Sequence, residues 1–152
     1  MDSLIVAAAR FAALAAEAEA IKHAALEEAA KEFLKRAQAS LGTYEYGWPH
    51  LAESTIARKS RGDTPGLETG VMQRSGGYEV HGDTATVGFT DPKIVWFEFG
   101  TKHQPPRPVV GGTIDHHMPA IAHKMAVSFG MVIEEALVGG SVLAAISRAL
   151  GR

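Results

Sequence analysis

Residues 78–100 read YEVHGDTATVGFTDPKIVWFEFG, and how they fold decides the class of the whole chain. The first half alternates: Tyr78 and Val80 precede a Gly82-Asp83 turn, and Ala85, Val87 and Phe89 follow it. A period of two around a short glycine-containing turn predicts an antiparallel hairpin with strands over 77–81 and 84–90. Asp91-Pro92 then has the form of a helix entrance, a short polar residue before a proline whose missing N–H is harmless in a first turn. Lys93 to Phe99 is accordingly predicted as about two helical turns stopped by Gly100, although the β-branched and aromatic content of IVWFEF also suits a strand.

Within that apolar run stands a single carboxylate, Glu98, and directly after it comes a stiff cationic loop, GTKHQPPRP (100–108). A carboxylate in apolar surroundings is raised in pKa or is paired and hydrogen-bonded. Lys102, Arg107 and the N–H groups of the Gly100-Thr101 turn lie within reach along the chain. Glu98 is therefore expected to clamp the loop, through an ion pair or by accepting those N–H bonds, rather than to serve catalysis. Pro105, Pro106 and Pro108 favour extended geometry and remove three donors. A segment ordered in advance loses less entropy when it docks on a partner.

Upstream, Ser3 to about Leu41 holds neither glycine nor proline and is dominated by alanine, which predicts one long amphipathic helix. Asp2 or Ser3 can cap its start, and Gly42 sits where a left-handed residue ends a helix. Leu4, Phe11, Leu14, Ile21, Ala25 and Phe33 make its apolar stripe, and pairs such as Glu27–Lys31 have the favourable order four residues apart. A helix of that length is expected to project beyond its own core toward another subunit. Residues 42–76 read as loop-rich, with short helical turns around Leu51–Lys59 and after Gly66. Downstream, Pro119 is expected to open an amphipathic helix with Ile121, Met125, Phe129, Val132, Ile133 and Leu137 on its buried face. Gly139-Gly140 breaks it, and Ser141 caps a last helix through Leu150. The predicted class is α+β in one domain over 1–152, with the C-terminal helices packed on a small sheet and a core over 77–137.

Composition narrows the function. Hydrophobic residues make up 46% and charged residues 21% of 152, as in a globular chain rather than a disordered one. There is no cysteine, which excludes disulfide frameworks, zinc ribbons and thiol catalysis. The net charge of −2 with mixed signs shows no concentrated basic face of the kind nucleic-acid readers carry. The apolar N-terminal run has Asp2 in place of a basic start and Arg10 inside it, unlike a signal peptide, and no run reaches the roughly 20 residues of a membrane span.

Catalytic motifs are scarce. No G-x-S-x-G elbow, phosphate loop or dinucleotide fingerprint occurs. His116, His117 and His123 with Asp115 invite a metal-dependent hydrolase, yet adjacent histidines diverge where helical zinc sites space theirs four apart. The proline loop also contains a loose PxxP pattern that would suit a peptide-binding adaptor, and Arg61-Gly62-Asp63 matches an adhesion tripeptide by letters alone. No cofactor is expected.

The order of the motifs is more specific than any one of them. WFEFGTKHQPPRPVV, followed by MPAI and a final helix, resembles the head–tail connection proteins of tailed bacteriophages, both the lambdoid-type tail-completion (neck) family and the Mu-like virion morphogenesis family. Glu98, Phe99, Gly100 and Thr101 match the E-F-G-T element, Pro106, Arg107 and Pro108 the P-x-R-P element, and Pro119 and Ala120 the proline-alanine helix opening. Trp48, Pro49, Leu51, Thr55 and Lys59 are similar to the W-P-L…T…K approach of the Mu-like branch, and Leu67, Thr69, Gly70 and Met72 to its L-x-T-G-x-L. P-P-R-P-V-V replaces the usual P-x-R-P-F-L, and GGTIDHH is read as an insertion before the final helix. The likeness spans about residues 45–135. It implies a non-enzymatic virion part, assembled in the bacterial cytoplasm, that forms a homo-oligomeric and plausibly hexameric ring between portal-adaptor and tail-tube proteins. DNA would pass through the lumen without sequence-specific contact and no membrane would be involved. Trp96, Phe99, Lys102, Pro106, Arg107 and Pro108 would then anchor or present the interacting loop.

Overall fold

The computed structural model describes residues 2–137. In chain order the elements are α1 (Asp2–Ser40), α2 (Glu53–Ile56), α3 (Val71–Arg74), β1 (Gly76–His81), β2 (Thr84–Phe89), α4 (Lys93–Phe99) and α5 (Val110–Leu137). The fold is α+β, a long N-terminal helix and a C-terminal helix with short helices and a two-stranded antiparallel sheet. No helix among the described residues is long and apolar enough to cross a membrane. The chain divides into two compact units, one of Met1–Ala29, Val80–Ala85 and Ala122–Arg152, the other of Ala30–Glu79 and Thr86–Ile121.

Among the described residues the second unit holds most of the buried core. The end of α1 buries Ala30, Phe33 and Ala37, a spacing of three or four that sets one stripe of the helix inward, and Leu41 directly after the helix is buried in line with them. Trp48, Met72, Val109 and Ile121 add to the apolar interior. Gly42, at φ 90°, ends the helix and donates its N–H to the Pro65 carbonyl at 2.7 Å. The Gln38 amide nitrogen donates to the Gln73 carbonyl at 2.9 Å, and Gln73 returns the bond to the Gln38 carbonyl at 2.8 Å. This reciprocal pair ties α1 to α3. Burial alternates along β1 and along β2 as far as Val87, as the period-two pattern requires, and Gly88 and Phe89 are half-buried as well.

In the first unit Ile21 is buried, and Lys22 lies 2.8 Å from Glu19 and 2.5 Å from Asp83 in the hairpin turn. Both carboxylates hold the Lys22 ammonium above its ordinary pKa, the Asp83 bond first. Leu26, Met125, Ala126 and Phe129 line an apolar cleft beside that pair.

Residues 93–99 are helical, not a strand. The Asp91 side chain accepts the Lys93 N–H at 3.0 Å and its carbonyl accepts the Ile94 N–H at 3.1 Å, so the entrance is stabilised at two points.

The last helix corrects the sequence reading. Pro119 does not open it; α5 starts at Val110, and Pro119 lies inside. The residues GGTIDHH are helical rather than an inserted loop. The cause is an external cap, because Glu98 supplies acceptors for the first N–H groups of α5 and two consecutive glycines then remain helical despite their low propensity. Pro119, inside the helix, withholds one N–H from the ladder and crowds the carbonyl four residues before it. On the expected buried face Ile121 is buried and Met125 and Phe129 are half-buried. The side chains of Val132, Ile133 and Leu137, and the whole of Ser141–Leu150, lie outside the described residues.

Candidate functional site

Between α4 and α5 the chain folds back on itself around Glu98. One carboxylate oxygen accepts the N–H groups of Val109 and Val110 at 2.9 and 3.0 Å, and the other accepts that of Gly111 at 2.6 Å. These are the donors that a helix start leaves without intrahelical partners, and the negative charge also complements the positive end of the helix dipole. Glu98 therefore binds donors 11 to 13 residues further on, not the Gly100-Thr101 turn and not Lys102 or Arg107. That is a correction of the expected partners.

Arg107 is the second point of the bracket. Only 4% exposed, it donates Nε to the Pro49 carbonyl at 2.8 Å and a terminal guanidinium nitrogen to the His50 carbonyl at 3.2 Å. Its own N–H reaches the Phe97 carbonyl at 2.7 Å. The planar fork meets two backbone carbonyls at once, which an ammonium cannot reproduce in one plane. Arg107 was expected to reach toward a neighbour, but it is buried and its fork binds two carbonyls of its own chain. Beside it the Trp48 indole N–H donates to the Pro108 carbonyl at 3.1 Å.

Two glycines make the close packing feasible. Gly100 adopts φ 74°, and a Cβ there would come within 2.8 Å of the Pro106 nitrogen and 2.9 Å of the Gln104 carbonyl oxygen. Gly112 lies under Tyr46, whose ring would stand 2.3 Å from an added Cβ. Tyr46 reaches the Thr113 hydroxyl at 3.0 Å; because Thr113 donates to the Val109 carbonyl at 2.7 Å, the phenol is the donor. Tyr46, Gly112 and Thr113 escaped the sequence reading. The signal available was an aromatic cluster, YEYGW, together with a glycine pair that a helix would not choose without a close neighbour.

The loop itself is compact. Thr101 and Gln104 form an isolated antiparallel bridge, and the Thr101 hydroxyl accepts the His103 N–H at 3.2 Å. Lys102, His103, Pro105 and Pro106 are exposed and Pro108 is half-buried. Pro119 is exposed on α5.

The bracket holds α4 with Ile94, Phe97 and Glu98 turned inward and Val95, Trp96 and Phe99 turned out. Their exposures are 52%, 53% and 78%. Trp96 and Phe99 were expected to anchor the segment in the core; they stand on its outer face instead. A helix divides an apolar run between two faces, and the inward face is already filled at spacing i, i+3, i+4. The carboxylates of this stretch are committed to backbone N–H groups, Asp91 at Lys93 and Glu98 at α5. The charges it turns outward, Lys93 and Lys102, are both basic.

The histidines do not converge. His116 stacks on Tyr46 with centroids 4.9 Å apart, and His117 lies 3.1 Å from Glu45. Among the described residues no group of three or more His, Cys, Asp or Glu is placed to hold a metal ion. Lys59 and two donors of Ser60 bind the Glu68 carboxylate, and these bonds, led by that of Lys59, hold its pKa down to about 2. Burial raises the Tyr44 phenol, with the Asp63 hydrogen bond adding to the shift.

Comparison with protein-family models, with curated proteins and with solved structures returns no match to this chain.

Proposed function

We propose that this chain is a structural, non-enzymatic part of the head–tail connector of a phage, prophage or gene transfer agent. It forms a ring between the portal-adaptor and the tail tube as a neck, stopper or tail-terminator protein and resides in the virion. The observation that carries this reading is the outer face of α4. Large apolar side chains at 52–78% exposure stand on a seven-residue helix braced from behind by Glu98 and Arg107. Small-molecule sites gather such side chains into a concave pocket. Held rigidly outward, with Trp and Phe at the centre and basic residues around them, they suit a protein partner. The motif order around E-F-G-T and P-x-R-P supports the same reading.

Native mass spectrometry and negative-stain electron microscopy of the purified protein, alone and mixed with the tail-tube protein encoded beside it, test the proposal. Closed rings, free or on tube ends, are expected. A chain that stays monomeric under both conditions, or that hydrolyses substrates with a stoichiometric bound metal, would refute it.

A further inference from the structure

Resting on the connector reading, we infer that the ring closes by the outer face of α4 in one copy packing on α5 of the next copy, across Ile114, Asp115 and Met118. Both faces belong to the same compact unit, and Glu98 ties α4 to the start of α5. Ile114 is 47% and Met118 45% exposed. They stand one turn apart on one side of their helix, and Val95 and Phe99 have the same spacing of four on α4. Each helix therefore offers a short ridge of the kind that seats beside the ridge of another.

Two unmet polar groups and the local charges select this pairing. The indole N–H of Trp96, a side chain 53% exposed, has no acceptor among the described residues. Pro119 lies inside α5 and has no N–H, so the Asp115 carbonyl four residues before it loses its helical donor. Asp115, Met118 and Pro119, which border that carbonyl, are all exposed. A tryptophan buried at an interface needs an acceptor for its N–H, and this carbonyl supplies one. The Asp115 carboxylate, with no ion pair among the described residues, complements Lys93 and Lys102 beside the α4 face.

The other exposed apolar side chains lack this match. Val71 stands three residues from exposed Arg74, and Val127 three residues from exposed Lys124 with Met131 one turn on, so these patches carry the same sign as α4. Ile5 is a lone large side chain followed by exposed alanines. Two different patches in contact make a heterologous interface, the kind that propagates into a ring when its rotation closes. A few side chains on each side cover less than the roughly 800 Å² per partner of a free-standing interface. A single pair therefore dissociates, and closure, in which every copy makes two contacts, supplies the stability.

The chain has no cysteine, so single-cysteine variants report one contact each. V95C is mixed with I114C or M118C in the presence of the tube protein, oxidised with copper phenanthroline and read on non-reducing gels, with native mass spectrometry of the same samples. A disulfide needs Cα atoms within about 7 Å; the mixture is expected to cross-link several-fold more than either variant alone. In a second arm, Trp96→Phe keeps an aromatic ring without its N–H, and Pro119→Ala returns a donor to the Asp115 carbonyl. Both are expected to lower the ring population several-fold. Pro119→Ala should at the same time raise the urea midpoint of the free chain, whereas a proline with a merely structural role would move assembly and stability together. Cross-linking of V95C with itself at the level of the mixture would mean that α4 pairs with α4, and overturns the inference. Rings that form without any V95C–α5 disulfide, or that are undiminished in Pro119→Ala, also overturn it while leaving the connector reading in place. A chain that remains monomeric with the tube protein present overturns both.

Discussion

Replacing Glu98 by alanine removes the acceptor for three backbone N–H groups at 2.6–3.0 Å. Hydrogen bonds to a charged group contribute about 1.5–3 kcal/mol each, but these three share one half-buried carboxylate and water can replace part of the loss. Loss of an N-terminal cap costs about 0.5–2 kcal/mol, and loss of a negative charge at a helix start about 0.3–1. The expected cost of Glu98→Ala is therefore about 2–4 kcal/mol, above one cap and below the sum of three bonds. With a slope of about 1–3 kcal/mol per molar in urea, the unfolding midpoint falls by on the order of 1–2 M. Hydrogen exchange at the amides of Val109, Val110 and Gly111 should quicken more than elsewhere in α5. Glu98→Gln should fall between: with its oxygen placed toward Val109 and Val110 it keeps two acceptor bonds, and it turns an amide donor at the Gly111 N–H. A loss below about 0.5 kcal/mol for Glu98→Ala, the range of unremarkable surface changes, would refute the capping argument. So would an equal loss in Lys102→Ala, which would point to an ion pair instead.

Arg107→Lys retains the charge but not the fork to the Pro49 and His50 carbonyls, and should destabilise by about 1–3 kcal/mol in denaturant unfolding through the loss of charge-assisted, part-buried hydrogen bonds. Gly112→Ala gains helix propensity of about 0.5–1 kcal/mol but drives a methyl into the Tyr46 ring; overpacking of about 1–3 kcal/mol outweighs the gain, and the melting temperature should drop. Glu68 has a folded pKa of about 2 against an ordinary 4.5. Its depressed value means that its contribution to stability is full above pH 4.5 and is lost as pH falls toward 2. Carbon-detected NMR titration of its carboxyl should give the low value, and Lys59→Met should move it upward. Trp96→Ser with Phe99→Ser should leave unfolding within about 0.5 kcal/mol of the parent while abolishing rings in native mass spectrometry.

Much of the fold was legible because local rules suffice for it. Alanine content without glycine or proline dictates α1, period-two alternation about Gly82-Asp83 dictates the hairpin, and Asp91-Pro92 followed by two turns and Gly100 dictates α4. The α+β class follows from their order. Glu98 could be singled out from sequence because a lone carboxylate in an apolar run must find partners.

Which partners it finds was a tertiary decision. A carboxylate can take whatever donors approach it, and only the folded chain brings the first N–H groups of α5 there. That approach also moves the helix start from Pro119 back to Val110, past two glycines that local propensity counts against a helix. Arg107 looked like a surface charge in a basic loop, and only the return of Pro49 and His50 gives its fork two carbonyls to bind. The apolar run of α4 was legible as helix but not as inside or outside. Periodicity assigns residues to faces, and it takes the packing of Ile94, Phe97 and Glu98 against the rest of their unit to leave Val95, Trp96 and Phe99 facing out.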